Sequence, residues 1–122
     1  MFYIMDVLDL LEANFPMYTF VPNSFKKVSP DNCIAIVLNG GRYSKQVGTP
    51  SIQFLVRNTK EELAERVAYE LFDFFNYKTN FQLGNVQVVM SKGQQAAPLY
   101  TGTDESDRHI YSVNVDLTVS LA

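Results

Sequence analysis

The stretch "TPSIQFLVRNTKEELAERVAYELFDFF", residues 49–75, decides how the chain must be read. Ile52, Phe54 and Val56 alternate onto one face of a strand, while Gln53 and Arg57 fall on the other with Leu55 between them. Thr59 then stands at an N-cap position, with Glu62 three residues on, the spacing of a reciprocal capping box. Leu63, Ala64, Val67, Ala68, Leu71, Phe74 and Phe75 form a broad apolar stripe, and Glu62 and Arg66 make an i,i+4 pair on the wet side. A strand followed by an amphipathic helix predicts a helix laid on a sheet.

Outward from this unit the pattern changes several times. Before it, Ile4, Val7, Leu8 and Leu11 recur at helical spacing with acids opposite, which predicts a helix of about three turns ending before Pro16. Residues 16–31 hold Pro16, Pro22 and Pro30 and read as an extended connection. The apolar run at 32–38 reads as a strand, and "NGGRYSKQVGTP" (39–50) as a loop, turn-forming at its ends and basic in the middle. After the helix, "VQVVM" (86–90) reads as a strand, and "SKGQQAAPLYTGTDESDR" (91–108) shows no periodicity. Finally Tyr111, Val113, Val115, Leu117, Val119 and Leu121 alternate with small or polar residues, the cleanest strand pattern in the chain. The expected fold is α+β: a mostly antiparallel sheet of about four strands, one face covered by the long helix and the N-terminal helix. Residues 1–122 make a single domain.

Composition narrows the function. With 47% hydrophobic and 19% charged residues the chain suits a folded core rather than disorder. A net charge of −3 argues against a sequence-independent grip on nucleic acid. Nine Phe and seven Tyr are more rings than a small core hides, so some Tyr are expected at a protein-binding surface. Asp6, Asp9 and Glu12 break up the apolar N-terminus, so it predicts neither an export signal nor a membrane span, and a protein that stays in the cytoplasm or in an assembly formed there.

Chemistry is hard to find. Cys33 lies in an apolar run and reads as a buried, inert thiol. His109 is the one histidine and has no nucleophile signature around it. One Cys and one His do not make a zinc site without carboxylates. The acids Asp104, Glu105 and Asp107 lack the oxygen spacing of a calcium loop, and "GGRYSKQVGT" lacks the ending of a phosphate loop. Glu61 and Glu65 fall on the wet side of the helix, without an apolar pocket to raise a pKa. No catalytic, cofactor or metal residue is assigned. Two polar loops of opposite charge remain, and they supply the interface candidates: Arg42, Tyr43 and Lys45 in one; Tyr100, Asp104, Glu105 and Asp107 in the other; with Arg57 at the strand end.

From Pro30 to Leu121 the chain resembles a family of small phage proteins, the minor capsid or tail-terminator proteins of long, non-contractile-tailed phages. "PDNCIAIVLNGG" resembles the family's Pro-led first strand ending at a glycine turn. "PSIQFLVR" resembles its Gln-containing strand closing on Val-Arg, and "TGTDESDRHIYSVNVDLTV" is similar to the Gly-x-Asp-Glu…Arg-x-Ile-Tyr-Ser-x-Asn pattern that introduces the last strand. Ser106-Asp107 stand where a glycine is more usual before Arg108. The resemblance implies a non-enzymatic virion subunit without a cofactor. It implies a ring, usually hexameric, that caps the tail tube protein and joins it to a head completion or connector protein. A membrane or a sequence-specific nucleic-acid partner is not implied. The alternative is a single-strand nucleic-acid or small-ligand module on a ferredoxin-like sheet, and an enzyme acting on a small substrate is third.

Overall fold

The computed structural model describes residues 2–120. Leu121, the last residue of the predicted alternating strand, lies outside them. In chain order the elements are α1 (Ile4–Asn14), β1 (Phe20–Pro22), β2 (Cys33–Tyr43), β3 (Val47–Asn58), α2 (Glu61–Phe75), β4 (Lys78–Leu83), β5 (Val86–Gly93), β6 (Leu99–Thr103) and β7 (His109–Ser120).

The expected antiparallel sheet of about four strands is overturned: the sheet has seven strands and is mixed. Its order is β1-β2-β3-β7-β5-β4, with β6 also on β7. It is mixed because β1 pairs parallel to β2, Phe20 opposite Ile34 and Pro22 opposite Ile36. The three further strands lie where periodicity is silent. β1 is too short to show a pattern, and Pro22 fits an outer strand because it has no N–H to donate. β4 carries polar, exposed residues at Thr79, Asn80 and Gln82. β6 lies inside the segment that reads as structureless.

The supposed loop at 39–50 is mostly strand, leaving Ser44–Gln46 as the connection. The register between β2 and β3 shifts by one residue between Asn39 and Arg42. Gly41 makes that shift possible: its φ is +83°, and a Cβ there would stand 2.1 Å from the Thr49 carbonyl oxygen. Pro50 sits beside the same bulge, where a missing N–H costs no ladder bond.

β5 and β6 run along the same edge of β7, both antiparallel to it. β5 covers Ser120 to Val115 and β6 covers Ser112 to His109. They are one interrupted strand with an excursion at 94–98, and the Gln94 N–H donating to the Asn114 carbonyl at 2.8 Å bridges the gap. β7 is therefore flanked along its length, by β3 on one side and by this broken strand on the other.

Helix α2 packs on β3, β5 and β7, and α1 touches β1 and β2 at one edge and β4 at the other, so the sheet curls around its helix face. The core between them includes Phe54 stacked on Phe75 at 5.3 Å, with Leu11, Leu71, Val88, Val113 and Val115. The helix stripe is turned slightly from the expected one: Phe72 is buried, while Leu63 and Phe74 are only half-buried. The capping box at Thr59 and Glu62 does not form. The N-cap is Lys60, without a side-chain cap; the Thr59 N–H donates to Asn32 Oδ1 and the Lys60 N–H to Asn58 Oδ1, each at 3.0 Å. Glu61 and Glu62 still place negative charge in the first turn, where the helix dipole favours it. At the other end Ser91 donates to the Phe75 carbonyl at 2.6 Å. No helix among the described residues is long and apolar enough to cross a membrane.

Two outcomes follow from this packing. Leu71 is fully buried and Tyr69 exposed, so Leu71→Ala is expected to lose about 2–5 kcal/mol in a urea titration and Tyr69→Ala much less. Tyr18 donates its phenol to Glu70 on α2, and burial, then that bond, pushes its pKa up from 10.0 to about 12. The folded protein thus favours the protonated phenol. Its contribution is fully present below pH 10 and is lost between pH 10 and about 12. In alkaline unfolding titrations Tyr18→Phe is expected to flatten that part of the pH dependence.

Candidate functional site

The residues that give the chain its recognisable pattern converge at one end of the sheet. Arg57 closes β3 on the outer face, away from the helices, and is 3% exposed. A strap of residues 23–32 folds over it. The guanidinium donates from Nε to the Asp31 carbonyl at 3.0 Å and from an Nη to the Pro30 carbonyl at 2.7 Å, and lies 4.1 Å from the Phe25 ring centroid. It also reaches Cys33 Sγ at 3.6 Å and Asp104 at 3.9 Å. Arg108 completes the group, bound to Asp104 at 2.9 Å and Asp31 at 3.0 Å. Two cations and two carboxylates tie together the strap, β3 and the β6–β7 turn.

Asp104 organises that turn. Its Oδ1 accepts the N–H groups of Ser106 and Arg108, each at 3.0 Å. Partial burial pushes its carboxyl up, but those N–H groups and the Arg108 guanidinium outweigh it and hold the pKa below the usual carboxylate range. Asp107 takes φ +59°, the left-handed conformation that a glycine adopts most easily and that Asp tolerates. The departure from glycine at this position is thus accommodated without loss of the turn. Burial raises the Cys33 thiol pKa, with Arg57 opposing.

A second network runs along the outer face. Gln53 Nε2 and Asn114 Nδ2 each donate to Ser112 Oγ at 3.1 Å, and Gln94 Nε2 donates to Asp116 at 2.8 Å. The outer positions of β3 and β7 in this network are amides, hydroxyls and one acid, without an aromatic ring on which a base could stack.

The other predicted residues divide between the two ends. Arg42, Tyr43 and Lys45 are exposed at the tip of the β2–β3 hairpin, where the Tyr43 ring lies so close to Gly48 that a Cβ there would come within 2.4 Å. Val47 beside this tip pairs with Ser120, while Asn58 at the far end of β3 pairs with His109 next to the acidic turn. β3 has 12 residues, so at about 3.3 Å per residue the two groups stand about 36 Å apart. The structure therefore brings together Arg57 and Asp104, inside one subunit, and separates the basic tip from the acidic turn. Asp104 is taken up by Arg57 and Arg108; Glu105 and Asp107 remain exposed. Tyr100 is 46% exposed on β6, its ring 5.1 Å from Tyr111 and its hydroxyl 3.0 Å from His109 Nδ1.

The sequence reading missed Asp31 and Phe25 as partners of Arg57, and Arg108 as the partner of Asp104 and Asp31. The signal for Arg108 was its spacing from Asp104 in the motif before the last strand. Among the described residues no group of three or more His, Cys, Asp or Glu is placed to hold a metal ion. A cleft of about 230 Å³ between residues 17–19, the ends of β2 and β3, and Val67 holds no titratable pair suited to acid–base work.

Against known proteins, residues 24–121 match the model of a family described as bacteriophage tail terminator protein. No curated protein matches the chain. The match covers most of the chain, which belongs to this family and so has a structural role in the phage tail.

Arg57→Lys is expected to test the strap. An ammonium cannot reproduce the fork to two carbonyls and a carboxylate, and leaving one carbonyl unsatisfied costs on the order of 1–3 kcal/mol. Amide exchange should accelerate within 23–32 while α2 stays protected at subglobal openings.

Proposed function

We propose that this tail-terminator family member assembles as a closed ring, probed first as a hexamer, that caps the tail tube and joins it to a head completion or connector protein. The observation that carries the reading is the placement of opposite charge at opposite ends of a rigid β3–β7 ladder. A head-to-tail ring needs two different surfaces on each subunit, and complementary charge sets their register. Arg42 and Lys45 lie at one end, and Glu105 and Asp107 at the other. Neither pair can meet within one chain. The basic tip of one copy then faces the acidic turn of the next, with Tyr43 and Tyr100 adding apolar contact that exposed ion pairs, worth about 0–1 kcal/mol each, do not supply. Asp104 has no part in that contact, because it holds the turn itself. The remaining faces of the ring meet the tail tube and the connector, and the location is the head–tail junction of the virion.

The test is charge reversal followed by sedimentation at low salt. Arg42→Glu with Lys45→Glu should weaken association between copies, and adding Glu105→Lys with Asp107→Lys should partly restore it. Losses that merely add would count against the contact.

A further inference from the structure

The two outer edges of the sheet share a property that the ring reading leaves unused. β4 pairs with β5 on one side, and no described strand pairs with its other edge. A free edge of six residues is a template on which another copy could add a strand. We infer that β4 is a guarded edge, closed to a strand from a second copy by Asn80 and Lys78.

Asn80 stands in the middle of β4 with φ +53°, and the ladder skips it: Thr79 pairs with Met90 and Phe81 with Val88. The residue it skips, Val89, is itself an extra residue in β5, where the register against β7 shifts between Val88 and Met90. Both strands are thus kinked at one level, and the edge cannot present a straight row of N–H and C=O groups. Tyr77, just before the strand, is also left-handed at φ +60°. Lys78 begins the strand, its ammonium 4.7 Å from the Phe74 ring centroid and 5.3 Å from that of Phe81. This fixes a positive charge beside the edge, one that an incoming Lys78 of a second copy would repel. The opposite edge is treated alike: β1 stops after three residues at Pro22, Asn23 follows at φ +68°, and the lower part of β2 is broken at Gly41. At these two ends of the sheet, copies of this chain therefore meet through side-chain surfaces and not by continuing the sheet.

The inference concerns how copies associate, and its main test does not require a ring. Asn80→Val removes the residue type that tolerates positive φ and favours a straight strand; Lys78→Thr removes the charge. The double variant is expected to sediment as a dimer or larger at concentrations where Asn80→Gly, which keeps positive φ, matches the parent. In the associated form, hydrogen exchange at Lys78–Leu83 should slow. A folded double variant with the parent's mass would overturn the inference, and so would association that leaves these amides unprotected. If the double variant does not fold, the parent decides: exchange at 78–83 in its own oligomer, or on tail tubes, should equal that of the free subunit, and slower exchange there would overturn the inference. A parent that never associates sinks the ring but leaves the edge test standing.

Discussion

Everything at the acidic end of the molecule hangs on one buried guanidinium. Arg57 leaves water almost completely, and a desolvated cation is tolerable only if its donors are met. The fold meets them mainly with backbone carbonyls from a segment more than 20 residues earlier, and with a carboxylate from a turn far later in the chain. The strap cannot leave without exposing that charge, and the turn cannot open without losing Asp104 from it. A side chain on the surface face of a strand thus becomes the fixed point for two segments with little apolar area of their own.

This explains why the family pattern looked empty of chemistry. The residues that make the chain recognisable are those of the Arg57 group and of the Gln53–Ser112–Asn114 network. They hold backbone in place. Structural subunits need loops presented at defined positions far more than they need a shifted pKa, and Asp104 illustrates the difference: its carboxyl is perturbed because it is fully engaged, not because it is poised to react.

What could be read in the sequence follows the same physics. α2 and β7 were legible because each buries one face, and burial imposes a period of 3.6 or 2. Phe72 escaped because the helix stripe is wide and Gly93 opens space for its ring, which a Cβ there would meet at 2.4 Å. β6 was invisible because a strand exposed on both faces carries no alternation, β4 because only Phe81 and Leu83 at its end turn toward the core, and β1 because three residues hold no period. The capping box failed for another reason: Asn32, distant in sequence, took over the Thr59 N–H that Glu62 would have bound, and Asn58 bound the Lys60 N–H beside it. Arg57 was placed on the correct face, yet nothing in the sequence announced its carbonyl partners, since a carbonyl is the same at every position. Its appearance among interface candidates reflects the usual place of a charge on a strand, and the structure puts it beneath the strap.

The position of β7 also bears on how the molecule is made. It follows in sequence every strand it touches, and the Gln53–Ser112 contact between it and β3 spans 59 residues. Until β7 docks, β3, β5 and β6 each face outward with an unpaired edge, and the sheet is three separate pieces: β1-β2-β3, β5-β4 and β6. Closing such long loops before any reward arrives makes folding slow, and the waiting fragments are the species most open to misassociation. The sheet is completed like an arch, by the stone set last.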